Sequence, residues 1–332
     1  MSDLALPPPA ELVDRRFGGR WTRAQALKNR AIRAGIAGLL VVVDLIPARL
    51  LGLLGVALGR TAALFARDAH RVAEERARDA LGELFTPSLA TRCFVHAGEA
   101  LAMCALLRRP GVRASEYVAL SDASRERLVH ALSEGRGALV LSAHLGPFET
   151  IPVRLVEAGF APAIVVRESY DPELDRVVDL HRRTNGIDVI HRGRPGAAAR
   201  IMDALGSGRP VGILPDLGGR GLATTPVRFL GRTVAFPTGA QKLARAAGCP
   251  LLVGTLVRTP RGATPFELLL EDVDTDGTVD ELTRRVAAHL EHAVKRSPED
   301  WLWMAVPHLA IAADSRAPLS SEIIRQSGSS RA

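Results

Sequence analysis

The stretch "LVLSAHLGPFE", residues 139–149, places His144 five positions ahead of Glu149, with a turn of small residues between them. An imidazole beside a carboxylate is a proton-transfer pair. The carboxylate accepts a hydrogen bond from one ring nitrogen, fixes the tautomer, and leaves the other nitrogen as a base able to activate a hydroxyl. H-x4-E alone is a weak signal, and the competing reading is a structural histidine at the end of a buried strand. Gly146, inside the turn, lets backbone come close to a substrate. Arg167 and Asp216 each close an apolar run at a strand end. Arg167 is a candidate donor to a developing oxyanion, as are backbone N–H groups at 147–149; its other reading is a surface arginine lying over apolar side chains. Asp216 reads equally as a loop-capping aspartate.

These residues need a frame, and from residue 121 onward the pattern supplies one. Strands are predicted at 138–143, 161–167, 187–191, 210–216, 251–257 and 266–270. Between them lie helical stretches at 121–135, 148–159, 172–186, 195–208, 237–250 and 278–296. Proline opens several of these helices, glycine closes them, and Thr278 with Glu281 forms a predicted capping box. Strand–helix alternation predicts an α/β fold with a mostly parallel central sheet flanked by helices. Ligands of such sheets bind at the carboxyl ends of the strands, where His144 lies. Glu149 falls in the first turn of the helix that follows, a place that favours a carboxylate.

Ahead of this part the chain is apolar. Residues 1–30 read as a loose basic arm, 31–66 as apolar membrane-associating helices, 67–313 as the α/β domain, and 314–332 as a disordered tail. Asp44, Pro47 and Arg49 cut the apolar segment into two charge-free runs of roughly ten residues, half of the about 20 that a spanning helix needs. A bent pair of helices lying in a membrane interface fits better than one span. Arginines on both sides, from Arg15 to Arg33 and from Arg60 to Arg78, suit both ends staying at the cytoplasmic face. The alternative is a buried helical hairpin without lipid contact. The run begins too deep for a cleaved signal peptide.

The formal net charge of +7, nearly all of it arginine, suits anionic phosphates or is a plain compositional bias. Aromatic residues make up only 4%, which excludes a stacking platform for nucleic acid. Cys93, Cys104 and Cys249 match no metal spacing and read as small core residues in a reducing compartment. There is no G-x-S-x-G elbow, P-loop or metal-ligand cluster. The basic "HRR" at 181–183 and "HRGR" at 191–194 read as a solvated face, or as a contact for an acidic carrier or its phosphate.

"LVHALSEGRGALVLSAHLGPFE" resembles the core signature of the bacterial lipid A lauroyl/myristoyl acyltransferases. So, in order, do "VVRESYDPELDRVVDLHRRTNG", which supplies Arg167 and Arg183, "IMDALGSGRPVGILPDLGG", which supplies Asp216, "VRFLGRTVAFPTGAQKLARAAGCPLLVGTLVR" and "SPEDWLWM". The resemblance covers about residues 35–305. It implies a glycerolipid-acyltransferase-like fold and transfer of an acyl chain from acyl carrier protein or coenzyme A to a hydroxyl of a membrane glycolipid. It also implies His144 as base with Glu149 as its partner, and Gly146, Arg167, Arg183 and Asp216 as substrate-binding residues. No cofactor or metal is implied beyond the thioester co-substrate. The implied location is the inner membrane, with catalysis on its cytoplasmic side. "FPTG" at 236–239 is similar to a phosphate-binding "FPEGT" of glycerophosphate acyltransferases, but Thr238 stands where the glutamate would be. The family's usual "GNW" is here "GPF", and its basic run after the tryptophans is "AVPH". Both departures bear on the acceptor, so a phospholipid or aminolipid stands as an alternative to lipid A. A catalytically weak, lipid-binding relative is the other alternative.

Overall fold

The computed structural model describes residues 21–168, 172–218, 221–305, 309 and 311. The expected tail at 314–332, "AVPH" beyond Ala305, and residues 1–20 of the expected arm lie outside them. The remainder of the arm is helical: α1 (Arg23–Leu45) begins with a Thr22/Gln25 capping box and continues into the apolar segment. It ends at Ile46, held extended by the proline after it, and Pro47 starts α2 (Ala48–Phe65). The bend is thus where the sequence puts it. The helices, however, are longer than the charge-free runs, because Arg49 and Arg60 sit within α2 instead of ending it. Helix α2, and α4 (Leu89–Leu106) after α3 (Arg67–Leu81), are long and apolar enough to cross a membrane by length and composition.

Helices α2 and α4 pack backbone to backbone. Gly55 and Gly59 face Gly98, and a Cβ on Gly55 would stand 2.5 Å from the Gly98 carbonyl oxygen. Gly98→Ala is therefore expected to force the helices apart at a cost of about 1–3 kcal/mol. Gly52→Ala points into open space and is expected to stabilise by up to about 1 kcal/mol through helix propensity. Thermal unfolding of the two variants checks the opposite signs. The bend itself is tied to the turn that follows α4 by Arg109, which donates to the Val43 and Ile46 carbonyls, and by the Arg108–Asp44 ion pair.

The α/β part is as expected in class: a seven-stranded, mostly parallel sheet flanked by helices. In chain order its elements are β1 (Val118–Leu120), α5 (Asp122–Leu132), β2 (Ala138–Leu141), α6 (Thr150–Glu157), β3 (Ala163–Arg167) and α7 (Pro172–Thr184). Then come β4 (Asp188–Arg192), α8 (Ala197–Gly206), β5 (Pro210–Ile213), β6 (Thr224–Phe229), β7 (Arg232–Pro237), α9 (Gly239–Ala247), β8 (Leu251–Arg258), β9 (Phe266–Val273) and α10 (Val279–Arg296). The order across the sheet is β1-β9-β8-β2-β5-β3-β4, with β8 and β9 the one antiparallel pair. The central strands β2, β5 and β8 run through the main core, as continuous apolar runs buried on both faces do. The Thr278/Glu281 capping box opens α10 as expected.

Two elements go beyond the sequence reading: the short edge strand β1 and the separate β6–β7 hairpin. The hairpin's alternating burial was present in "TTPVRF". Its turn uses Leu230 at φ 50° and Gly231 at φ 77°, both left-handed as a two-residue hairpin turn of this hand requires. Pro226 and the absence of an Asn-Gly or Asp-Gly pair hid it.

Candidate active site

Strand β2 ends at Leu141, and Ser142 and Ala143 lead to His144 at the carboxyl rim of the sheet. Strand β5, its hydrogen-bonded neighbour, delivers Asp216 three residues past its own end. Asp216 is fully buried. One of its oxygens accepts from the His144 ring Nδ1 at 2.8 Å. The other accepts from the His144 backbone N–H and from the Trp301 indole N–H, each at 2.8 Å. The carboxylate thus faces three donors, two of them fixed N–H groups. An ionised Asp216 can only accept, so Nδ1 must carry the proton and Nε2 presents its lone pair. The ring is partly exposed and meets the Phe148 ring edge-on, with centroids 4.8 Å apart.

The carboxylate on His144 is therefore that of Asp216, where Glu149 was expected. Glu149 accepts instead from Arg182 of α7, at 2.6 Å from Nη2 and 3.2 Å from Nε. Arg182 also lies 3.6 Å from Asp179, which bonds to the buried His191 at 2.5 Å. Glu149 occupies the cap position of α6, one residue ahead of its first turn. There it faces α7 and the end of α4. Cys104 is pushed up to about 12, by burial first and by Glu149 second, and burial followed by Arg108 pushes His181 down.

The other expected residues lie as follows. Gly146 has φ 58°, a left-handed conformation, and a Cβ there would meet the Phe266 ring at 3.4 Å. Its N–H donates to the Asp300 carbonyl at 2.8 Å. Glycine is thus required by the turn and its packing. Arg167, exposed at the end of β3, is in register with Arg192 of β4. Burial, and Arg167 secondarily, lower the pKa of Arg192. Arg183 is exposed on the last turn of α7. "HRR" is therefore not one solvated face: Arg182 turns inward with a side chain only 13% exposed. Pro147 has no N–H to offer, which removes it from the expected oxyanion donors. The N–H groups of Phe148 and Glu149 meet no acceptor among the described residues.

A brace that the sequence did not reveal holds the turn from behind. After α10, residues 298–300 make a short 3-10 turn, and Trp301 then bridges Leu145. The buried Asp300 carboxylate accepts from His96 Nδ1 at 2.9 Å and from Arg258 Nε and Nη2 at 2.9 and 2.8 Å. Arg258 Nη2 also reaches Glu99 at 2.8 Å. Burial acts to raise the Asp300 pKa, but its bonds to His96 and Arg258 outweigh that and lower it. Trp301 and Asp300 were legible only as part of "SPEDWLWM", and Arg258 only as the last residue of "VRFLGRTVAFPTGAQKLARAAGCPLLVGTLVR"; nothing local marks His96.

Beside the histidine, an apolar pocket of about 600 Å³, its open mouth included, lies between α6 and the sheet. Three neighbouring strands floor it; besides Ala163, Val165 and Ile213 the lining takes in the alternate residues Val140 and Ser142; Pro210, Gly212 and Leu214; Pro162, Ile164 and Val166. Successive strand residues point to opposite faces, so these share one. Its roof is Phe148, Ile151, Pro152 and Leu155, a helical stripe.

No curated protein matches the chain significantly. The model of one family, described as bacterial lipid A biosynthesis acyltransferase, matches residues 22–306, nearly the whole of the described structure, and the chain belongs to that family.

Proposed function

We propose that this acyltransferase moves a fatty acyl chain from a thioester of acyl carrier protein or coenzyme A to a hydroxyl of lipid A or a related glycolipid. The observation that carries the reading is the buried Asp216 on His144 Nδ1, which leaves Nε2 as a neutral base at the sheet rim. Nε2 takes the acceptor's proton as its oxygen attacks the thioester carbonyl. The resulting oxyanion meets the free N–H groups of Phe148 and Glu149. Collapse of the tetrahedral intermediate breaks the C–S bond, and the imidazolium returns its proton to the departing thiolate. General base catalysis of this kind contributes roughly 10²–10⁴-fold. Arg167 lies at the same rim, placed to meet a substrate anion.

The apolar surface of α1 and α2 supports action at a membrane. Leu45, Leu53, Leu58, Leu64 and Phe65 are exposed, Phe65 by 81%, and Leu101 of α4 joins them. With arginines flanking the segment, we place the protein on the cytoplasmic face of the inner membrane.

The test is thiol release. Purified protein with an acyl thioester and a lipid acceptor is expected to liberate free thiol and acylated lipid, and His144→Ala to abolish both. Full turnover by His144→Ala overturns the mechanism. Parallel reactions with glycolipid, phospholipid and aminolipid acceptors identify the class by which product gains the acyl mass.

A further inference from the structure

Gly212 sits in the middle of β5, the central strand under the apolar pocket. It pairs across the sheet with Val140 on one side and Ile164 on the other. A glycine inside a buried strand weakens it and calls for a reason. Backbone conformation is not the reason, since Gly212 has no left-handed φ. Crowding is not the reason either. A Cβ at Gly212 would meet only the Ile164 Cγ2 at 3.4 Å and the Ala163 oxygen at 3.8 Å. Gly254 of β8 shows the contrast: a Cβ there would run into Leu270 at 2.9 Å and Val140 at 3.0 Å, so neighbours already fill its space. The space over Gly212 is left to the pocket.

The pocket has a direction. Ser142, Phe148 and Glu149 line it at the His144 end, and Pro210 and Pro162 at the far end. From Leu214 to Pro210 the strand runs about 13 Å at roughly 3.3 Å per residue, and Gly212 lies halfway. Past Ser142 and Glu149 the lining is apolar, which suits a hydrocarbon chain running inward from that end.

We infer that the missing side chain of Gly212 sets how long a fatty acyl chain the pocket admits, making this residue the chain-length determinant of the enzyme. A side chain at 212 would intrude midway along the pocket and leave unfilled the end lined by Ser142 and Phe148, whose ring meets His144. The inference rests on the acyl-transfer reading. Each methylene kept out of an apolar site forfeits roughly fourfold in binding.

The experiment measures kcat/KM for acyl thioesters from eight to sixteen carbons in the wild type, Gly212→Ala and Gly212→Val. The long-to-short ratio is expected to fall about fourfold in Gly212→Ala and about fiftyfold in Gly212→Val. Ile164→Ala, which widens the same row, is expected to shift preference toward longer chains. An unchanged chain profile in the folded Gly212 variants overturns the inference, and if the valine variant fails to fold, the alanine variant decides. Direct calorimetric binding of octanoate and palmitate separates this inference from the transferase reading. A wild type that transfers no chain sinks that reading. Gly212 is still upheld if its variants lose palmitate binding selectively, and overturned if they bind palmitate as the wild type does.

Discussion

Asp216→Asn is expected to lower turnover by about 10²–10⁴-fold, the whole contribution of a positioned base, with far less change in KM. The geometry gives the reason. One oxygen of Asp216 serves two fixed donors, the His144 backbone N–H and the Trp301 indole. An asparagine must keep its amide oxygen on that side, because an amide nitrogen there would confront both donors. Its NH2 group then faces His144 Nδ1. Two donors cannot share that contact, so the ring gives its proton to Nε2 and loses the lone pair that removes the hydroxyl proton. The side chain keeps its size and two of its three contacts, so the fold should survive. Glu149→Gln is expected to change turnover much less, since the carboxylate it removes sits on Arg182. Steady-state kinetics with one donor and one acceptor check both. Wild-type turnover in Asp216→Asn would sink the assignment, and a larger loss in Glu149→Gln would return the orienting role to Glu149.

Arg258→Met is expected to destabilise the protein by about 3–5 kcal/mol, the usual cost of removing one partner of a buried ion pair. Asp300 is nearly inaccessible and Arg258 mostly covered, so the variant strands a carboxylate with His96 as its remaining partner. Denaturant unfolding measures the loss. The double variant Arg258→Met, Asp300→Leu is expected to recover part of it, because no unpaired charge remains and the Asp300 carbonyl that holds Gly146 is kept. A loss below about 1 kcal/mol, the range of exposed pairs, would mean that the brace contributes little. The pH dependence has a definite sign. The folded Asp300 pKa lies below its ordinary value. Its stabilisation is therefore complete above the unfolded carboxylate pKa of about 3.9 and disappears as pH falls through the lower, folded value. The gap between wild type and Arg258→Met should narrow as pH falls through that acidic window.

The sequence by itself determined what depends on near neighbours. Strand–helix alternation gave the mostly parallel sheet, Pro47 the bend between two apolar helices, and Thr278 with Glu281 a helix start. It also placed His144 at the rim where parallel sheets bind ligands. The ordered motifs named the family. What the sequence left open was the occupant of each polar contact. Five residues of separation bring Glu149 within reach of His144, but reach does not decide the partner. Arg182, 33 residues on, takes Glu149, and Asp216, 72 residues on, takes His144. Both follow from the chain order that sets β5 beside β2 and brings Arg182 of α7 to Glu149, an order that no local pattern encodes. The contacts that join Asp300, Arg258 and His96 into a brace, and the empty space over Gly212, were equally invisible, although Asp300 and Arg258 lie in the ordered motifs. A buried carboxylate is satisfied by whichever donors the fold brings to it, and a cavity exists only between elements that have already packed.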